Sequence, residues 1–219
     1  MFFAGPTTLD GVTFSDSPTK LLIPIREVAN GLNLPFGSSK GGFTLGKKPL
    51  AQKGPQLADG TRLIPLQSLA AYGVSVVPDK AHHRTKLYRG GKVLYVRKGQ
   101  KRIFIDKSQQ TIRALQGTRT VLRSVVSTGT EAKDTPNGIF KVQPYRSRIH
   151  ISKKYVGARM PYAVQIVGNV FVHGWPRVSA VPSSHGCIHL PVSGANPARF
   201  FFRWADTGTP VVIRGKWKG

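Results

Sequence analysis

Ser184-His185-Gly186-Cys187-Ile188, with His173 upstream at the end of an apolar run, is the most informative stretch of this chain. Cys187 is the only cysteine among 219 residues. It can form no intramolecular disulfide, and a single thiolate cannot build a cysteine-rich metal site. A lone Cys with a His within folding distance is a candidate nucleophile–base pair. The alternative is a buried, inert thiol, because free cysteine is among the most buried residue types. The flanks argue against that alternative: Ser-His-Gly is polar and turn-prone, which suits a thiol presented at a surface.

Working outward, Tyr162 to Val167, a Gly168-Asn169 turn and Val170-Phe171-Val172-His173 read as a β-hairpin ending at His173. A ten-residue loop, Gly174 to Ser183, then leads to Ser184. Beyond Ile188-His189-Leu190-Pro191, residues Ala195 to Asp206 form an amphipathic segment, and Gly208 to Ile213 read as a final strand. Upstream, Val93–Val96, Arg102–Asp106, Thr111–Leu115 and Val121–Val126 read as a meander. The Asp134-Thr135-Pro136-Asn137-Gly138 turn follows, and then the strand Ile139–Val142. The pattern is mostly antiparallel β.

The first half contains an internal repeat. Thr19 to Ala29, with Leu22-Ile23-Pro24-Ile25-Arg26-Glu27-Val28, recurs at Gly60 to Ala70 as Leu63-Ile64-Pro65-Leu66-Gln67-Ser68-Leu69. Each copy reads as a short strand running into a helix that opens at a Pro and stops near a Gly (Gly31, Gly73). Two copies are too few for a solenoid, so a small α+β domain is expected. The Gly/Lys-rich Gly37–Gly54 stretch reads as a loop or hairpin.

The net charge is +24 and the pI about 11.0. The excess is +9 over residues 1–100 and +15 over the remainder. A charge this large and this evenly spread implies attraction to a polyanion: nucleic acid, an anionic lipid surface or an anionic cell wall. No helix-turn-helix, zinc-finger or aromatic-interleaved RNA motif supports a specific nucleic-acid partner. No run approaches the roughly 18 apolar residues of a membrane span. Met1-Phe2-Phe3-Ala4-Gly5-Pro6 is compatible with the tail of a truncated signal sequence. Cys187 and His189 are two residues apart, which does not match zinc-ligand spacing when combined with His173 and His185, so no metal is expected. His82-His83 has no third ligand nearby.

Residues of about 100–214 resemble the L,D-transpeptidase catalytic (YkuD-type) domain. The resemblance rests on Ile103-Phe104-Ile105-Asp106, Ser127-Thr128-Gly129, Thr135-Pro136-Asn137-Gly138-Ile139-Phe140, Met160-Pro161-Tyr162, Val172-His173-Gly174, Ser184-His185-Gly186-Cys187-Ile188 and Gly208-Thr209-Pro210-Val211, in that order. The repeat resembles the copper amine oxidase N-terminal-type domain of bacterial envelope proteins, with no copper implied.

These resemblances imply a chain that is mainly β with short helices. A two-repeat α+β positioning domain would occupy residues 8–92, and an L,D-transpeptidase-like β-sandwich residues 93–219. They imply a cofactor-free cysteine acyltransferase of the cell envelope acting on peptidoglycan stem peptides, with anionic wall polymers as further partners. Carboxypeptidase activity or a weakly active wall-binding module is the alternative. Cys187 would be the nucleophile and His173 its base and acid. Ser184, His185 and Gly186 would form the loop and oxyanion site, and Tyr162, Gly174, Trp175 and His189 would meet substrate. The family pattern carries Arg two residues after the Cys, where this chain has His189. No side chain beside His173 is evident to orient it, which leaves the Gly174 carbonyl or a group not evident in the sequence.

Overall fold

Lys101–Asp106 and Thr111–Gln116 bury every second residue, the period of a strand with one face on a core. Ile103, Ile105, Ile112 and Ala114 are all fully enclosed. The computed structural model describes residues 7–39, 42–51, 54–155 and 157–218. Met1 to Pro6, compatible in sequence with a signal tail, lie outside the described residues.

The chain divides into two compact units. The first holds the described residues of 1–13, 17–99 and 116–119. Its main sheet runs in the spatial order Leu63–Pro65, Ser17–Pro24, Thr8–Phe14, Lys92–Lys98, Arg84–Arg89, Ser75–Asp79. The two Ile-Pro segments pair with each other antiparallel, Ile23 opposite Ile64 and Pro24 opposite Leu63. Each then turns into a helix: α over Ile25–Gly31, but 3-10 over Leu66–Tyr72, which ends on Gly73 in the left-handed conformation. Pro24 and Pro65 stand at the N-caps, where a backbone N–H would have no intrahelical partner, so the donor that proline lacks costs the helices nothing. Their apolar sides (Ile25, Val28, Leu66, Leu69) join Leu32, Leu45, Leu87 and Leu94 in one core. Phe36–Ser39, Gly42–Leu45 and Lys48–Pro49 form a small antiparallel sheet in the Gly/Lys-rich stretch that the sequence reads as a loop or hairpin.

The second unit holds residues 14–16, 100–115 and 120–219. One of its sheets runs Arg119–Val125, Thr111–Gln116, Lys101–Asp106, Pro210–Arg214, Gly138–Lys141. The other runs Arg146–Ile151, Arg159–Val167, Val170–Trp175, Ile188–Pro191. The strand at Lys92–Lys98, read in sequence as the start of the meander, instead pairs with Thr8–Phe14 in the first unit. The helix Pro197–Trp204 is capped by the Asn196 side chain, which accepts from the Arg199 N–H at 2.9 Å. Its Phe201 and Trp204 are fully buried.

Antiparallel pairing does not account for everything. Pro210–Arg214 runs parallel to Lys101–Asp106, and Ile188–Pro191 parallel to Val170–Trp175. The second parallel pair extends the His173 strand two residues past its expected end, because Gly174 and Trp175 find partners in Leu190 and Pro191. A parallel pair needs a crossover of about a dozen residues. Residues 176–187 supply it, and they carry the Ser-His-Gly-Cys loop.

Candidate active site

The parallel ladder sets His173 opposite His189 and Val172 opposite Ile188. Side chains alternate across a sheet, so Val172 and Ile188 share one face and both histidines the other. Cys187, one residue before the paired segment, packs against Phe171, Met160 and Ala163.

His173 is 2 % exposed. Its Nδ1 lies 3.0 Å from the Gly174 carbonyl oxygen. A carbonyl only accepts, so Nδ1 carries the proton and Nε2 is left as the unprotonated nitrogen. The orienting group absent from the side chains is thus the carbonyl of the next residue. Burial pushes the His173 pKa down to about 4; the Gly174 bond opposes this and the His150 charge adds to it. His173 is therefore a neutral imidazole at neutral pH.

The Cys187 thiol is half-buried. Its Sγ donates weakly to the Asn169 carbonyl, 3.6 Å away. Among the described residues no hydrogen bond joins it to His173. Burial raises its pKa, and a backbone bond from Phe171 partly offsets the rise. Beside it, the His150 ring stacks on Phe171 at 5.1 Å, and His150 Nδ1 lies 2.7 Å from the Tyr145 hydroxyl. No sequence signal marked Tyr145, His150 or Phe171.

Ser184 is 2 % exposed and locks the loop from inside. Its hydroxyl donates to the Cys187 carbonyl at 2.6 Å and accepts from the Gly186 N–H at 3.1 Å. The Gly186 N–H therefore points inward, away from any substrate at the thiol. Gly186 itself has φ +110°, a conformation that L side chains rarely adopt. The His185 ring is exposed and packs on Tyr155, centroids 4.6 Å apart.

Further polar groups hold the loop in place. Thr135, fully buried, accepts from the Gly129 N–H and donates to the Gly186 carbonyl, both at 2.9 Å. The Ser183 and Ser184 N–H groups both donate to the Thr128 carbonyl. The Gln110 amide bridges the Lys107 carbonyl and both the N–H and hydroxyl of Thr128. Lys107, 3 % exposed, reaches Asp134 at 2.5 Å and the Thr135 carbonyl at 2.6 Å. Sequence reasoning gave Thr135 a place in a turn and in the family resemblance but no bracing role, and missed Lys107 and Gln110. Their place in the short turn between two apolar strands was the available signal.

His189 is 7 % exposed. It exchanges backbone hydrogen bonds with Ser127, at 2.9 and 3.3 Å. Its ring meets His173 edge-on at 4.8 Å. Its Nδ1 and the Ser127 hydroxyl are buried without a hydrogen-bond partner among the described residues. Burial, with the charges of His173 and His185, pushes the His189 pKa down to about 3. Trp175 stands beside both rings, half-buried. Tyr162 lies elsewhere: its backbone is left-handed, φ +56°, and its ring faces Phe202 of the Pro197–Trp204 helix. Among the described residues no group of three or more His, Cys, Asp or Glu could hold a metal ion.

Comparison with known proteins bears on the same region. The model of the L,D-transpeptidase catalytic domain family matches residues 100–213, just over half of the chain. No curated protein matches. An L,D-transpeptidase structure from Stackebrandtia nassauensis is 26% identical over 55% of this chain and 57% of its own, with a TM-score of 0.49. This chain thus spans little more than half the length of that relative. An L,D-transpeptidase from Mycobacterium smegmatis is 13% identical over 97% of this chain and 95% of its own, TM-score 0.49. Residues 123–326 of one from Xylanimonas cellulosilytica are 25% identical over 71% and 72%, TM-score 0.44. By the family model that covers its loop, its candidate base and its thiol, the chain belongs to the L,D-transpeptidase catalytic domain family.

Proposed function

We propose that the chain is a peptidoglycan L,D-transpeptidase in which Cys187 attacks the carbonyl joining the third residue of a tetrapeptide stem to its terminal D-Ala. The observation that carries this reading is the His173 Nδ1–Gly174 hydrogen bond, which fixes the tautomer a base requires. In this reading the thiol turns from the Asn169 carbonyl toward Nε2, which takes its proton as the C–S bond forms. The resulting imidazolium is buried and disfavoured, so it passes the proton readily to the D-Ala nitrogen as the C–N bond breaks. A thioester remains. The amine of a neighbouring stem attacks it, His173 takes that amine's proton, and the thiol is restored with a 3–3 cross-link formed.

Because the Gly186 N–H is engaged by Ser184, the backbone N–H groups of His185 and Cys187 are the donors assigned to the oxyanion. Each such donor is worth about 3–4 kcal/mol in the transition state. Trp175 and His189 form the wall nearest the base, with Gly174 between His173 and Trp175 along their strand. The first unit is read as a two-repeat domain that positions the enzyme in the cell envelope, on the strength of its paired Ile-Pro segments.

The test is D-Ala release and cross-linked dimer from a defined tetrapeptide stem, followed by mass spectrometry. Cys187→Ala is expected to abolish both; unchanged exchange in that variant would defeat the assignment. Water in place of the amine gives the carboxypeptidase reading, in which D-Ala is released without dimer. The raised thiol pKa and the bond to Asn169 favour a third outcome, a weakly active wall-binding module. A covalent carbapenem adduct on Cys187 at neutral pH would count against it.

A further inference from the structure

A second site lies on the other side of the histidine-bearing sheet. A groove of about 820 Å³ is lined by Arg146, Arg148, Pro161, Tyr162, Arg199, Phe202 and Arg203, among others. Its position follows from Gly174, which alternates with His173 along their strand and so faces away from it. A Cβ on Gly174 would come within 3.1 Å of Pro161 and would run into the Val192 side chain. Pro161 therefore lies across the sheet from the His173 ring, on the side where the Pro197–Trp204 helix meets these strands.

Four guanidinium groups converge here against one carboxylate, Asp16. Two of them are already committed. Arg203 Nε pairs with Asp16 at 2.9 Å. Arg146 is half-buried, lies 4.4 Å over the Phe202 ring, and donates to the Ser15 hydroxyl at 2.9 Å and the Ala205 carbonyl at 3.3 Å. That packing holds a charged group against an apolar floor even though burial pushes its pKa down. Arg148 and Arg199 are exposed and make no ion pair among the described residues. Asp16 pairs with Arg203, and Asp206 and Asp16 favour the charge on Arg146, so the uncompensated charge is concentrated on Arg148 and Arg199, which costs stability. The cost is recovered when an anion arrives, and guanidinium forks suit the two-oxygen edge of a phosphate or carboxylate.

We propose that this groove binds a chain of sugar or polyol units bearing phosphodiester or carboxylate groups, with anionic groups seated on Arg148 and Arg199. The floor favours such a chain over a nucleic acid. Base recognition by single-strand binders needs open aromatic faces for stacking, and here Arg146 lies over Phe202 while the half-buried Tyr162 ring is turned against that same ring. A linear chain with spaced charges and no bases fits. The assignment goes beyond the proposed reaction and does not depend on Cys187 being its nucleophile.

The experiment uses the full chain at physiological salt. Calorimetry measures binding of a glycerol-phosphate oligomer, a polygalacturonate fragment and a single-stranded oligonucleotide of matched charge. Arg148→Glu/Arg199→Glu is expected to lose about tenfold or more in affinity for one of the two base-free chains, roughly 1.4 kcal/mol. The chain that loses affinity identifies phosphodiester or carboxylate as the ligand group. Lys80→Glu/Lys92→Glu, which makes the same charge change at exposed positions in the first unit, is expected to lose less than about threefold. Equal losses in both double variants, no binding of either base-free chain, or tighter oligonucleotide binding with the same dependence on Arg148 and Arg199 would each overturn the proposal. The alkylation rate of Cys187 should be unchanged in Arg148→Glu/Arg199→Glu, which confirms folding separately from binding. If that variant misfolds, Arg148→Gln/Arg199→Gln serves instead, with an expected loss of about threefold, and equal affinity to wild type would overturn the proposal.

Discussion

The ring of Trp175 lies flat on that of His189, with centroids 4.6 Å apart and planes 13° from parallel. This stack turns a polar side chain into a packing element. It also places His189 edge-on to His173, so that the candidate base is bordered by aromatic rings on two sides.

The stack and the partnerless Nδ1 make opposite contributions, and substitution separates them. His189→Phe keeps the flat face and deletes the buried polar atom, and is expected to raise the unfolding free energy by about 1 kcal/mol. His189→Ala loses the stack and leaves a void, at a cost of about 2–4 kcal/mol. Denaturant melts of the two variants decide it. If Phe proves as costly as Ala, the nitrogen has a partner that this account lacks.

The resting thiol is protonated and its neighbour neutral. Alkylation of Cys187 by iodoacetamide, followed across pH, is expected to rise in one step with a midpoint above 9.0, because burial disfavours the thiolate. His173→Ala should leave that midpoint nearly unchanged. A rate already level at pH 7 would mean that a thiolate–imidazolium pair exists in the free protein.

Acid stability carries a histidine signature. An imidazole that stays neutral when folded and protonates when unfolded makes the unfolded chain the better proton binder between about pH 4 and 6.5. Stability therefore rises with pH across that window, is complete above 6.5, and is lost as pH falls toward 4. For His173 the full shift corresponds to roughly 3 kcal/mol. Asp10, Asp79 and Asp106 have pKa values held below the ordinary 3.8, so their contribution is lost only in stronger acid. Melting temperature measured from pH 7 to 4 should fall, and fall less in His173→Asn. A flat profile over that range would contradict the buried neutral imidazole.

The loop is braced by Thr135 and Ser184. Thr135→Val keeps the shape and strands both the Gly129 N–H and the Gly186 carbonyl, at a cost of about 2–4 kcal/mol. Ser184→Ala frees the Gly186 N–H and removes the support of the Cys187 carbonyl. It is expected to lower D-Ala release by about 10–100-fold, since small misplacements of a nucleophile are costly. Wild-type turnover in Ser184→Ala would show that the loop is positioned by other means.

Much of the second unit is legible in the sequence because period-two burial is a local property. Ile103 and Ile105, and Ile112 and Ala114, stand two residues apart, and the structure buries each pair while Phe104 and Arg113 between them are more exposed. The parallel partners are not local. Nothing in Ile188-His189-Leu190-Pro191 says that it runs alongside Val170–Trp175 rather than against it. Gly174 and Trp175 were therefore read as loop. Cys187 and His173 stand out as residue types, but the thiol's bond to Asn169 and the ring of His150 above Phe171 depend on tertiary packing. The resemblance has Tyr162 meeting substrate, and its left-handed backbone, which sets the direction of its ring, has no counterpart in residue type.

The crossover between Trp175 and Ile188 separates two requirements that most catalytic loops combine. Its ends are pinned by a ladder of main-chain bonds, so the register of nucleophile and base is a property of the sheet. Its middle, before Ser183, contributes nothing to that register, and lengthening it costs only about 0.6 kcal/mol per doubling. Insertions there are therefore inexpensive, and this part of the chain is free to diversify in what it admits to the site while the reacting pair stays in alignment.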